Sequence, residues 1–205
     1  MASTEWMACC SNIILSTTAL YFSRKLFKDH RGPSIGLFLL GLSATLWVLL
    51  PSSSHLASLK KQATWAGEVL APVLVAFEFL WLSEDHGTAW TLLIGSCLLL
   101  GLSDWLSAET LTVLTRCLGL SSLSCCLMVC LFAGNVLGAV GGVALSLPLL
   151  MEQQVETTVA APLVSPAATE GLVKWLLNAL LSVGCWASTR ALGQFLLDIS
   201  DRFNI

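Results

Sequence analysis

The longest apolar run of the chain, Thr110 to Met151, contains 42 residues and a single charge, Arg116. As one α-helix it would measure about 63 Å, twice the hydrocarbon thickness of a bilayer. The run must therefore fold back, and Ala133-Gly134-Asn135 has suitable turn chemistry. In the whole chain 56% of residues are apolar and 11% are charged, whereas soluble domains have about 25% charged residues. The sequence predicts an all-α, polytopic transmembrane helical bundle.

Breaks in the apolar pattern divide residues 1–205, as a single transmembrane domain, into seven predicted spans. Prolines, glycines and charged residues set the ends of the spans at about 6–23, 33–50, 64–82, 89–103, 111–131, 134–151 and 172–192. Six spans result if the fifth begins after Arg116 and leaves a re-entrant or interfacial piece after it. Residues 152–171 are predicted to form a long outer loop. Residues 193–205 are predicted to form an amphipathic tail helix on the cytoplasmic face, with a frayed terminus as the alternative.

The distribution of Lys and Arg predicts the orientation of the bundle. The segment before the first span has neither residue, whereas Arg24, Lys25, Lys28 and Arg31 follow that span closely. We therefore expect the N-terminus outside and the first loop in the cytoplasm. With seven spans the C-terminus is also cytoplasmic. We expect an integral membrane protein of an endomembrane (ER or Golgi) or of the plasma membrane.

Several functional classes are disfavoured by the same sequence. The chain has a net charge of −3 and lacks the basic surface that a nucleic-acid-binding protein needs. The sequence has no catalytic motif and no metal-ligand spacing among its 3 histidines and 8 cysteines. We expect no catalytic residues, no metal, no cofactor and no enzymatic activity. The expected partners are the lipid bilayer and either other membrane proteins or a second copy of the chain.

Two carboxylates, Glu68 and Glu78, interrupt the apolar third span. They differ by about 80° around a helix, so both can face the bundle interior as an ion, proton or polar-network site. Pro72 lies between them and removes a backbone hydrogen bond, which would kink the helix beside Glu68. The alternative is that both side chains reach the headgroups. For Glu78 we predict a bundle-facing side chain whose polar partner is Asn or Arg of a neighbouring span.

Small and polar residues recur at helical spacing in three spans. Such stripes allow close helix approach, which makes them predicted packing faces, and lining of a polar path is the alternative. The predicted packing residues are Gly134, Gly138 and Gly142 in the sixth span, Asn12 and Ser16 in the first, and Asn178 and Ser182 in the last.

Three segments carry a family resemblance: residues 77–81 (Phe-Glu-Phe-Leu-Trp), Asn135 with Gly141-Gly142, and residues 186–192 (Trp-Ala-Ser-Thr-Arg-Ala-Leu). They resemble an uncharacterised vertebrate family of small multi-pass transmembrane proteins. The resemblance implies a similar helical bundle and supplies no known activity. The leading hypothesis is a structural or accessory membrane protein that acts through helix–helix contacts. The alternative is a small transporter or channel that uses Glu68 and Glu78.

Overall fold

The structure is a computed structural model that describes residues 2–28, 30–49, 54–151 and 166–203. Within these ranges the chain forms helices and no strand, which confirms the predicted all-α class. The seven helices are α1 (Ala2–Leu26), α2 (Arg31–Leu49), α3 (Ser54–Leu82), α4 (His86–Gly101), α5 (Ala108–Phe132), α6 (Val136–Met151) and α7 (Pro166–Phe203).

Each predicted span overlaps one helix, and most helices extend beyond it. Helices α2, α3, α5 and α7 are long and apolar enough to cross a bilayer, whereas α4 and α6 are shorter apolar helices. Helix α5 begins before Arg116 and runs through it. The count of spans stays a prediction, because helix length and composition do not define where lipid begins.

Two predicted segments fall partly outside the described residues. Of the long loop predicted at 152–171, residues 152–165 are not described, and α7 already begins at Pro166. Proline suits the first position of a helix, where its missing N–H has no carbonyl to bind. The amphipathic character of the tail at 193–205 depends on side chains from residue 196 onward, which also lie outside the described set.

The packing of the helices places α3 at the centre of the bundle. It contacts α2, α4, α5 and α6, while α7 packs against both α1 and α6. These contacts close a ring of five helices, in the order α1, α2, α3, α6 and α7. Helices α4 and α5 pack outside the ring, against α3 and each other, and α5 also contacts α6.

At the interface between α6 and α7, each helix places a glycine against the other helix. A Cβ added at Gly141 of α6 would lie 2.8 Å from the backbone nitrogen of Ser188 in α7. One turn further, a Cβ added at Gly184 of α7 would lie 2.9 Å from the Leu145 side chain of α6. Each helix thus supplies a gap for the other, and the two backbones approach closely.

Candidate functional site

A buried His30–Glu78 pair joins the turn between α1 and α2 to the end of α3. Nδ1 of His30 lies 2.8 Å from Oε1 of Glu78, and the two side chains are only 5% and 14% exposed. The turn holds the histidine in place, because its backbone N–H donates to the carbonyl of Leu26 at 2.8 Å. Glu78 lies about one turn before the end of α3, so its side chain points back into the bundle at that end.

The beginning of α2 also approaches the Glu78 carboxylate. A Cβ added at Gly32 would lie 3.3 Å from Oε2 of Glu78, so glycine leaves room for the carboxylate beside the first turn of the helix. Backbone N–H groups give the start of a helix a partial positive charge, which stabilises a nearby carboxylate. Glu78 is therefore held by an imidazole on one oxygen and lies next to a helix N-terminus on the other.

The hydrogen bond relates the tautomer of His30 to the charge of Glu78. With Glu78 ionised, Nδ1 carries the proton and donates it to the carboxylate. The other ring nitrogen, Nε2, is buried and has no hydrogen-bond partner among the described residues. The pair thus leaves one buried polar atom unsatisfied inside the bundle.

Glu78 has a polar partner inside the bundle, but the expected identity of that partner, Asn or Arg of a neighbouring span, is wrong. The partner is His30, which lies in a turn. Sequence spacing could not reveal this contact, because it joins residues 48 positions apart. The sequence feature that points to this contact is the short connection between α1 and α2, which keeps His30 close to the end of the bundle.

Glu68 does not belong to the same site. It lies ten residues before Glu78 on α3, about 15 Å away along the helix axis, and it is half-buried. The two carboxylates therefore occupy different depths of the bundle.

The predicted polar stripes of the first and last spans meet at one point. Nδ2 of Asn178 in α7 donates to Oδ1 of Asn12 at 3.1 Å and to the Ser11 hydroxyl at 3.0 Å in α1. Ser16 instead pairs with Thr45 of α2 at 2.6 Å. Ser182 donates to the carbonyl of Asn178 in its own helix at 2.9 Å. The stripes thus serve three different interactions.

Replacing Asn178 with leucine should destabilise the bundle, because it removes both hydrogen bonds that tie α7 to α1. Interhelical hydrogen bonds in membranes contribute about 0.6 kcal/mol on average and up to about 1.7 kcal/mol, so we expect a loss of about 1 kcal/mol. Unfolding in mixed micelles would measure it. Ser182→Ala is the matched control and should change the unfolding free energy by less than about 0.5 kcal/mol, since its bond stays within one helix. Equal losses in the two variants would contradict the role of Asn178.

The three glycines predicted to form one packing face have different surroundings. Gly138 abuts Cys130 of α5 and Phe79 of α3, and a Cβ at Gly142 would lie 2.6 Å from the Cys126 sulfur. Apart from its chain neighbours, no described residue lies within 4 Å of a Cβ added at Gly134, so its assignment to packing is wrong. Its φ of +69° places it in the left-handed region, where it makes the turn between α5 and α6.

The acidic turn between α3 and α4 supplies a helix cap. Asp85 accepts a hydrogen bond from the Thr88 backbone amide at 3.2 Å and caps α4. Next to it, the His86 ring stacks on Trp81 with the centroids 4.2 Å apart. Hydrogen bonds from the Thr88 side chain and then from its backbone hold the pKa of Asp85 below the ordinary value.

Acidification should therefore loosen the start of α4. Because the pKa of Asp85 is lower in the folded chain, its stabilising effect is present above the unfolded pKa of about 3.9 and is lost as the pH falls through the folded pKa. The amide resonance of Thr88, followed by NMR in micelles, should shift in that acidic range. Asp85→Asn keeps a capping oxygen without the titrating group. An unchanged acid shift in this variant would contradict the assignment.

A bundle of apolar helices with four segments long enough to cross a bilayer is the structure of a multi-pass integral membrane protein. The chain is similar to Transmembrane protein 276 of Mus musculus, with 30% identity over 190 residues, which cover 92% of this chain and 93% of the mouse protein. The human protein of the same name is 29% identical over 188 residues and 92% of each chain. This chain belongs to the Transmembrane protein 276 family.

The match confirms the resemblance found in the sequence to a vertebrate family of small multi-pass membrane proteins. No protein-family model matches the chain. No solved structure matches it either.

Proposed function

We propose that this protein is a structural or accessory membrane protein that acts through helix–helix contacts, without catalysis. The observation that carries the proposal is the outer face of α5. This helix lies outside the five-helix ring, and it is the least buried of the four long apolar helices. The exposed side of α5 is therefore available to another membrane helix.

The outer face of α5 has the composition of a helix-packing surface. Its buried side already uses small and polar residues toward the bundle, among them Thr115, Gly119 and Ser122. Exposed on the other side, at offsets of four and seven residues, are Cys117, Ser121 and Ser124. Small residues at this spacing let two helices approach closely in a bilayer. A lipid-facing surface has no need of them, so the exposed stripe supports contact with a partner helix.

Site-directed photo-crosslinking in cell membranes tests this proposal. A benzoylphenylalanine at Leu120, which is 50% exposed beside the α5 stripe, should give a discrete protein adduct. The matched control is Phe38 on α2, which is 48% exposed between the exposed side chains of Ile35 and Leu42 and should give lipid adducts alone. The mass of the adduct distinguishes a second copy of the chain from another protein. The proposal fails if Leu120 gives lipid adducts alone or the same protein adduct as Phe38.

A small transporter or channel is the second candidate, and the buried, protonatable His30–Glu78 pair favours it. Purified protein in vesicles with a trapped pH-sensitive dye and an imposed potential provides the test. The transport function predicts a proton flux that Glu78→Gln removes and that Glu68→Gln also lowers. The accessory function predicts that the wild type and both variants conduct no more than empty vesicles.

We further propose the orientation indicated by the basic residues, with the N-terminus outside and both the α1–α2 turn and the C-terminus in the cytoplasm of an ER, Golgi or plasma-membrane protein. Glycosylation acceptors engineered into residues 152–165 should be modified, and acceptors in the α1–α2 turn should not. The reverse pattern would overturn this orientation.

A further inference from the structure

We infer that the α1–α2 turn is a binding surface for the anionic phospholipid headgroups at its end of the bundle. Arg24, Lys25, Lys28 and Arg31 are all exposed. None of the four has an ion-pair partner among the described residues. Clusters of four or more cations directly beside a membrane helix attract anionic headgroups.

The nearest buried carboxylate does not neutralise this surface. Glu78 lies at the same end of the bundle, but its carboxylate bonds to His30 and faces the beginning of α2. Asp29 is the one acidic residue in the turn sequence between the four cations. Glu84 and Asp85 follow α3 at this end, and Asp85 is engaged as the cap of α4. Of the described acids at this end, Glu78 and Asp85 are thus already engaged in other hydrogen bonds, and the four exposed cations stay open to an anion.

Hydrogen bonds fasten the backbone of the two helix ends that carry the cations. Ser23 and Ser34 each donate a side-chain hydrogen bond to the other's backbone carbonyl at 2.8 Å, which fastens the end of α1 to the beginning of α2. The His30–Glu78 bond fastens the turn to α3. A surface that is already ordered loses little conformational entropy when it binds a headgroup.

Aromatic side chains mark the same level as a membrane interface. Tyr21 and Phe27, on either side of the first two cations, are 65% and 60% exposed. Trp81 of α3, near the same end, stacks with Phe77 and His86. Tyrosine and tryptophan prefer the depth of the headgroups. The cations therefore lie where phosphate and carboxylate groups of lipid are found, which favours a lipid headgroup over a free anion as the ligand.

Binding of short-chain phosphatidylserine to the full-length protein in neutral detergent, measured by native mass spectrometry, tests the inference. We expect the wild type to bind phosphatidylserine in preference to phosphatidylcholine. Lys28→Gln with Arg31→Gln should weaken phosphatidylserine binding by at least about fivefold, since one cation near an anionic surface contributes about that factor. The control, Lys61→Gln, removes an exposed cation from the beginning of α3 at the other end and should leave the affinity unchanged.

The inference is overturned if the wild type binds both lipids equally or binds neither. It is equally overturned if the turn variant binds like the wild type, or if Lys61→Gln weakens binding as much. Excess inorganic phosphate is the probe for a free-anion site, and full displacement of the lipid by phosphate would assign the surface to free anions instead. Melting temperatures of both variants should match the wild type, because the substituted side chains are exposed.

Discussion

Replacing His30 with leucine should lower the free energy of unfolding by about 3 kcal/mol. The variant leaves the Glu78 carboxylate, 14% exposed, without the imidazole nitrogen that lies 2.8 Å from it. Removal of one member of a buried pair costs roughly 3–5 kcal/mol, because the remaining charge has lost its water and gained no substitute. The partial exposure of Glu78 places the expected loss at the lower end. Unfolding of the purified protein in mixed micelles would measure it.

A double-mutant cycle of His30→Leu, Glu78→Leu and the double variant separates the interaction of the pair from simple loss of packing. His30→Leu with Glu78→Leu removes both polar groups, and apolar replacements of a buried pair are often neutral or stabilising. We therefore expect the double variant to be more stable than His30→Leu alone, with an interaction energy within the range of roughly 0.5–3 kcal/mol that contacting residues show. A His30→Leu variant as stable as the wild type would show that Glu78 does not depend on the histidine.

The second large effect is expected for Gly141→Leu at the α6–α7 interface. A Cβ at position 141 would lie 2.8 Å from the Ser188 backbone nitrogen and 3.1 Å from its Cα. A backbone atom cannot rotate aside, so the two helices must separate. Overpacking commonly costs about 1–3 kcal/mol and sometimes more, and we expect at least 3 kcal/mol because the contact is with backbone. The free energy of unfolding in mixed micelles, compared between the variant and the wild type, would measure this loss.

Gly193 of α7 provides the matched control. It is also a helical glycine, but apart from its chain neighbours and its own helix backbone no described atom lies within 4 Å of a Cβ added there. Gly193→Leu should be neutral or slightly stabilising, because leucine favours a helix over glycine by nearly 1 kcal/mol. Similar losses at both positions would show that helix propensity, and not the contact with Ser188, governs the result.

Helix positions were largely predictable because they depend on local sequence. The turn at Ala133-Gly134-Asn135 follows from its residue types, and the structure places the break between α5 and α6 there. The extension of α3 back to Ser54 was not predictable from hydropathy. The added residues include Lys60 and Lys61, and a polar segment can continue a helix beyond the apolar stretch that hydropathy detects.

The contacts of the candidate site were predictable only in part, because each depends on two distant segments. Spacing on a single helix identified Asn12 and Asn178 as polar positions, but these residues are 166 positions apart, and only the packing of α1 against α7 brings them together. The same limit applies to His30 and Glu78. Gly134 was misassigned for a different reason. Its spacing from Gly138 resembles that of a packing face, but its positive φ places it in the turn between α5 and α6.

The closed ring of five helices has a consequence for biosynthesis. Helix α1 leaves the ribosome first, yet its side chains Ser11 and Asn12 bond to Asn178 of α7, which is made last among the described helices. Until the seventh helix is made, Asn12 lacks the amide that Asn178 supplies, while the Ser11 hydroxyl keeps its bond to the carbonyl of Ala8 in its own helix. A chain cut before α7 would leave Asn12 permanently without this interhelical partner.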